Sequence, residues 1–369
     1  MAKRAAVKRD RRLMAGFGLL GAASLLVAGW QATALGSPPP AAYNEITVTP
    51  GHRGEVSVAI AGDTMFGDKA TPLIQSQGLF ALLAGVSQVF RGPDVGVVNM
   101  EAPITNSTDV YDLSSQFSYG SPPESALALA SIGVDVLQVG NNHILDRGPI
   151  GLDDTITHAN RVGLATVGAG DNLTEAMRPL LIRTPDLTVA LVSLGENFGS
   201  SKRATDTTAG MVPFSADVVL QEERVARAAG ADRVIALAHW GGNYADIDES
   251  QRYWAGELVA AGYDLIIGTG PHVLQPIEVI DGVPVVYSLG NFVFGSNGRY
   301  AIFGQPGVGA VATVTFDATG ATLELRCLNT DNTAVNFVTR ECDATESAVA
   351  AARAGGGLTW QGAIGTLRF

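Results

Sequence analysis

Positive charge is scarce in this chain. Its 369 residues carry 24 Lys and Arg against 36 Asp and Glu, a formal net charge of −12. Phosphate-backbone partners need the opposite balance, so nucleic acid is not an expected partner. Cysteine is scarcer still, with only Cys327 and Cys342. Neither lies near the strands that carry the candidate site, so thiol catalysis is not expected either. No internal repeat stands out. What the chain does have is apolar residues, 46% of the total. That suffices for the core of one large α/β domain or two small ones.

The basic residues are bunched at one end. Lys3, Arg4, Lys8, Arg9, Arg11 and Arg12 precede an uncharged run from Leu13 to about Leu35. A basic flank before an apolar run is an export signal that orients the amino terminus inward. The run is long enough to span a bilayer, yet Ala32-Thr33-Ala34 fits a cleavage site. Residues 1–35 are therefore expected to be a signal peptide or a membrane anchor, and the protein to be exported. The pair Arg11-Arg12 before a Gly-rich run also fits twin-arginine export. In an exported chain, Cys327 and Cys342 are expected to pair. Gly36-Ser37-Pro38-Pro39-Pro40 opens a stiff linker expected over 36–54. The folded domain is expected over 55–340. Residues 341–369 are expected to be a tail, with a loosely packed helix in its Ala- and Gly-rich part.

Five short apolar runs end in polar side chains. VSVAIAGD delivers Asp63, VGVVNME delivers Glu101, and VDVLQVGNNH delivers Asn142 and His143. VIALA leads to His239, and DLIIGTGP to His272. Such runs are buried strands, and open α/β sheets build sites beyond the carboxyl ends of their strands. Two carboxylates, an amide and three imidazoles suit Mn, Fe, Zn or Mg, so the pattern points to a metal site at a sheet edge. Each residue alone also fits a structural role. Asp63 could cap a turn, Glu101 could be a solvated loop residue, and Asn142 could adopt a left-handed turn. His143 could pair with Asp146 structurally, and His239 and His272 could be satisfied core histidines. Asn291 ends a further strand, and Ser288 and Asn291 could line the same cleft, although hydrogen bonds that order the backbone are the favoured role for both. Trp240, Tyr244, Trp254 and Tyr287 could stack on a substrate.

Helical stretches alternate with these strands. Ser121-Pro122-Pro123-Glu124 opens a helix reaching Ser131. Ser215 with Asp217 opens another, and Asp248 a third. Near the carboxyl end, Asp317-Ala318-Thr319-Gly320 sits between two alternating runs and signals a hairpin. The fold class is thus α/β, parallel strands with a carboxyl-terminal antiparallel part.

Taken in order, GDTMFG, VNMEAPIT, NNHILDRG, HWGGNY, GPHVLQPIE and YSLGNFVF resemble the CapA family, over roughly residues 55 to 330. That family is linked to synthesis or export of poly-γ-glutamate capsule and is similar in fold to calcineurin-like metallophosphatases. The resemblance implies a four-layer α/β/β/α sandwich with mixed sheets and helices outside. It also implies a divalent, dinuclear centre. One metal would see Asp63, a bridging Glu101 (or, less favoured, Asn99) and His272. The other would see Glu101, Asn142 and His239. His143, oriented by Asp146 or a backbone carbonyl, would not bind metal but would donate a proton to the leaving group or stabilise the charged transition state. The implied partner is an anionic envelope polymer or a phosphorylated substrate, within a membrane synthesis complex. A non-catalytic scaffold or polymer-binding subunit is the alternative. The chain departs from the pattern at three positions. Met65 stands where metallophosphatases carry a histidine, Gly270 where a further histidine is expected, and Asn243 where a glutamate often stands. The change at Gly270 implies a weaker second metal position.

Overall fold

The computed structural model describes residues 43–369 apart from 53, 197 and 198. The expected signal or anchor over 1–35, and the Pro-rich stretch after it, lie outside the described residues. Among the described residues, no helix is long and apolar enough to cross a membrane.

Two large mixed sheets organise the chain. The first has seven strands, ordered Asn44–Thr47, Leu180–Arg183, Thr188–Gly195, Arg233–His239, Leu265–Thr269, Val283–Val286 and Ile277–Ile280. The second is centred on Val56–Met65. That strand pairs parallel with Val95–Met100 and antiparallel with Val308–Asp317. Beyond Val95–Met100 come Val136–Gln138 and Ala165–Val167, all parallel. On the other side, Val308–Asp317 forms a hairpin with Gly320–Asn329. Its turn is set by Asp317, whose carboxylate accepts the N–H of Thr319 at 2.6 Å.

Period-two alternation assigns the layers. Val58 and Ile60 of the central strand pack with Val97, Leu191, Ile235, Leu237 and Ile267, so one face of each sheet meets the other. The intervening residues Ala59 and Ala61 face the opposite way, toward Ala126 and Leu129 of the helix Glu124–Ser131 and Leu152 of the helix Gly148–Arg161. In the first sheet, Ala236 and Ala238 likewise face Val219 of the helix Ala216–Ala228 and Leu258 of the helix Glu249–Ala261. The result is the four-layer α/β/β/α sandwich with helices outside. Two of these helices start where the sequence places their caps. Ser215 accepts the N–H of Val218 at 3.2 Å, and Asp248 with Gln251 forms a capping box.

The chain ends are more ordered than their composition suggests. Residues 44–47, inside the expected linker, pair with Leu180–Arg183 at the edge of the first sheet. Residues 341–369 hold a capped helix, Ala344–Ala354, and a strand, Ile364–Arg368, that pairs with Gly320–Asn329. Ala350 and Ala354 are buried against the inter-sheet core, so the helix is packed rather than loose. Cys327 and Cys342 form a disulfide with Cα atoms 5.4 Å apart, tying this helix to the sheet.

Candidate metal centre at the meeting edge of the two sheets

The carboxyl ends of parallel strands from both sheets meet at one edge, and the polar residues singled out in the sequence collect there. Asp63 lies late in the central strand, just past a register irregularity between Ala61 and Asp63. Gly62 permits this: a Cβ there would stand 1.8 Å from the carbonyl oxygen of Gly290. That close approach lets Asp63 N–H donate to the same oxygen at 3.0 Å. Glu101 follows Val95–Met100 directly and is 1% exposed. Asn142 and His143 stand in the turn after Val136–Gln138. His239 ends Arg233–His239, and His272 lies just beyond Leu265–Thr269.

The distances are short. Asp63 Oδ2 is 3.1 Å from His272 Nδ1, and Glu101 Oε2 is 3.7 Å from the same nitrogen. Glu101 Oε1 is 3.6 Å from His239 Nε2, which also meets Asn142 Oδ1 at 2.9 Å. Asp63, Glu101 and His239 offer ligand atoms within 4.8 Å of one another. His143 stands slightly apart, its Nδ1 2.6 Å from Asp146 Oδ2.

Burial sets the electrostatics. It raises the Asp63 carboxyl, but His272, His239 and the amide of Asn99 outweigh it and hold the group below the ordinary aspartate range. Burial and the neighbouring charge of Asp63 push Glu101 well above the glutamate range. Burial depresses His239 to about 3, so its imidazole is neutral, the ligating form. Burial also lowers His143, against the opposing pull of Asp146.

These groups fit a divalent cation. Oε2 of Glu101 is buried without a hydrogen-bond partner among the described residues, in a site crowded with lone pairs. A buried carboxylate oxygen of that kind is costly unless a proton or a cation meets it, and the raised Glu101 carboxyl marks the place where a cation would displace the proton. Hard oxygen donors and neutral imidazoles suit Mn, Fe or Zn.

The structure gives roles to residues that the sequence marked weakly, Asn99, Asn291 and Ser288, and to two that it did not mark, Lys202 and Tyr119. Asn99 donates to Asp63 Oδ1 at 2.7 Å, lies 3.3 Å from His239 Nδ1, and accepts from Asn141 at 3.0 Å. It therefore links strand ends of both sheets. Asn291 Oδ1 accepts from His272 Nδ1 at 3.0 Å, and its Nδ2 donates to Tyr300 at 2.8 Å, so it orients a ring besides its strand. Ser288 instead accepts the N–H of Gly290, ordering a turn. Lys202 reaches Asp146 at 3.6 Å from a loop no motif marked. Tyr119 packs on His143 with ring centroids 4.5 Å apart. The alternation of polar and apolar residues could have marked Asn99, the one amide in the apolar run VGVVNM.

The aromatic expectations divide. Trp240 and Tyr287 are fully buried, Trp240 donating to the carbonyl of Tyr287 at 2.8 Å, and cannot stack on a ligand as they stand. Trp254 stacks on Phe214 in the layer under the outer helices. Tyr244 is the one of the four beside the site, 5.6 Å from the ring of His272. Both residues hold left-handed backbone, at φ 56° and 62°, a strained state that concentrates at functional sites.

An α/β sandwich with acids and imidazoles converging at the strand ends, with a candidate metal site there, defines a class of fold rather than one protein. The match to the family described as "Bacterial capsule synthesis protein PGA_cap" runs over residues 57–296, and the chain belongs to that family. It is 31% identical over 241 residues to the PGA biosynthesis protein CapA of Bacillus subtilis, covering 65% of this chain and 63% of that one. It is 28% identical over 246 residues to the capsule biosynthesis protein CapA of Bacillus anthracis, covering 65% and 60%. The chain thus spans less than two thirds of the length of these relatives. A putative 5′-nucleotidase from Staphylococcus aureus, solved with alpha-ketoglutarate, superposes with a TM-score of 0.45 at 15% identity, over 80% of this chain and 57% of that one.

Proposed function

We propose that this protein is an exported, metal-dependent hydrolase or transferase of poly-γ-glutamate synthesis or export, acting on an anionic envelope substrate. The observation that carries it is the cluster of Asp63, Glu101 and His239, with His272 beside it, in which Oε2 of Glu101 is buried without a hydrogen-bond partner. The names of the relatives, which concern poly-γ-glutamate and capsule, supply the substrate class. Export rests on the basic and apolar pattern of the first 35 residues, either as an anchor in a membrane synthesis complex or as a cleaved signal.

Asp63, Glu101, Asn142, His239 and His272 would hold the cation or cation pair. A cation there would polarise a carbonyl or phosphoryl oxygen and acidify a bound water. The chain's own groups supply the rest. Asp146, bonded to His143 Nδ1, fixes the tautomer and leaves Nε2 as the ring's accepting nitrogen, fit to take a proton from water or a hydroxyl. His272, His239 and the amide of Asn99 hold Asp63 in its ionised form, and the N–H of Gly270 bonds the same carboxylate. Lys202 neutralises Asp146 from the far side. Deep burial keeps bulk water from competing.

A scaffold that binds polymer without turnover is the second reading, favoured by Gly270 in place of an imidazole. Elemental analysis of the purified protein, with cleavage of γ-linked glutamate oligomers followed by mass spectrometry, separates the two. Metal with turnover that Asp63→Asn abolishes supports the enzyme. Polymer binding with neither metal nor turnover in excess Mn or Zn supports the scaffold.

A further inference from the structure

A closed circuit of ring contacts surrounds the strand-end cluster. Tyr119 lies 4.5 Å from His143 and 5.7 Å from Phe294, which lies 4.9 Å from His272. His272 in turn faces Tyr244 at 5.6 Å. Arg299 completes the circuit. Its guanidinium carbon stands 5.2 Å from the centroid of Tyr244 and 5.1 Å from that of Phe117, and Phe117 stacks on Tyr119 at 6.2 Å. Phe303, stacked on Tyr244, adds a third ring 5.5 Å from the same carbon.

Rings hold this guanidinium, and no carboxylate pairs with it among the described residues. The other arginines and lysines near the site are committed. Lys202 sits on Asp146, and Arg147 donates to Ser118 at 2.7 Å. Ring contacts meet the faces of this guanidinium, Tyr244 takes a hydrogen bond from it, and its remaining in-plane N–H groups are left to donate to a ligand. A guanidinium fork matches a carboxylate, two parallel N–H bonds to two oxygens. A single cation walled by hydrocarbon suits a planar monoanion better than a phosphate dianion, which would call for further donors. Ile302 and Phe303, both exposed, continue the wall outward and offer apolar surface to the methylenes of a chain.

We infer that Arg299 is the substrate-anchoring residue of this site and binds a side carboxylate of a γ-linked glutamate chain at the mouth, while the strand-end cluster faces the bond to be changed. This rests on the function proposed above, and sharpens it by choosing a polycarboxylate over a phosphorylated substrate. Among the described residues, Arg299 meets the site through rings: Tyr244 lies between it and His272, and the Phe117–Tyr119 pair between it and His143.

The test is calorimetric titration of the full-length protein, and of its Arg299→Gln and Arg299→Lys variants, with γ-linked glutamate oligomers. Inorganic phosphate serves as competing probe, and metal content and melting temperature are measured alongside. Arg299→Gln should weaken oligomer binding by about tenfold or more, since a bidentate charged contact is lost. Arg299→Lys should recover only part of it, because a point charge lacks the fork. Metal content should be unchanged and phosphate should compete poorly. If Arg299→Gln does not fold, the same loss in Arg299→Lys decides the matter. Wild type and Arg299→Gln binding oligomer equally tightly overturns this inference and leaves the proposed function standing. Arg299-dependent binding of phosphate but not of oligomer overturns the choice of carboxylate. A wild type that binds neither overturns both readings.

Discussion

The main-chain N–H of Gly270 approaches both carboxylate oxygens of Asp63, at 3.1 and 3.2 Å. Gly270 stands where the sequence pattern leads one to expect an imidazole, and its absence suggested a missing ligand. The backbone there is left-handed at φ 108°, and a Cβ would stand 2.8 Å from the carbonyl of Trp240 and 3.2 Å from the ring of His239. The position contributes a backbone donor to Asp63 in a conformation suited to glycine.

Gly270→His should therefore not restore a ligand. The strained backbone and the crowding of His239 should destabilise the protein by about 1–3 kcal/mol and lower metal content. Thermal denaturation with elemental analysis checks this. A variant as stable as the wild type and richer in metal would show that the backbone at 270 adapts.

Asn99 should behave as a positioning residue. It holds Asp63 through Nδ2 and stands beside His239 Nδ1, so Asn99→Ala frees both. Loss of such an outer partner costs about 10–100-fold in metal affinity. Titration with Mn or Zn should show that loss with the fold retained by circular dichroism. Unchanged affinity would remove Asn99 from the site.

His143→Ala and Asp146→Asn should each lower turnover of γ-glutamate oligomers by about 10²–10⁴-fold, the range of positioned proton transfer. Metal content should hold, since neither residue belongs to the tight carboxylate–imidazole group. Metal lost along with turnover would instead place His143 among the ligands.

Glu222 offers a pH test remote from the site. Its carboxyl is buried, one oxygen lacks a hydrogen-bond partner, and burial raises it well above the ordinary glutamate range. In strong acid both folded and unfolded chains hold the proton, so no penalty exists. As pH rises past the ordinary value of about 4.3, the unfolded chain releases the proton and the folded chain keeps it, so stability falls. Glu222→Gln should then melt a few degrees higher than wild type at pH 7, with the difference closing near pH 4. Equal melting temperatures at both pH values would contradict the burial.

Reducing the Cys327–Cys342 disulfide should cost about 3 kcal/mol on the loop-entropy account, given a sequence separation of 15. The bond joins the helix Ala344–Ala354 to the second sheet. Melting scans with and without reductant measure the loss. Hydrogen exchange should show that helix opening before the sheets. Identical scans would mean the capping box and packed alanines hold the helix unaided.

Local chemistry made much of this protein legible in its sequence. Apolar runs ending in Asp63, Glu101, His239 and His272 are strands, because a side chain that caps a buried run is fixed by its neighbours. Ser215 and Asp248 mark helix starts for the same reason: a cap acts on the N–H groups three residues away. Residues 341–369 misled because Ala and Gly carry little hydrophobic signal, and their order depends on a disulfide and on pairing with Gly320–Asn329. The inter-sheet geometry alone decided that Asn99 ties Asp63 to His239, that Gly270 serves as a donor, and that Arg299 meets Phe117 and Tyr244. Those contacts span up to 207 residues of chain. They exist only because two sheets, each built from local rules, pack face to face and bring their strand ends to one edge.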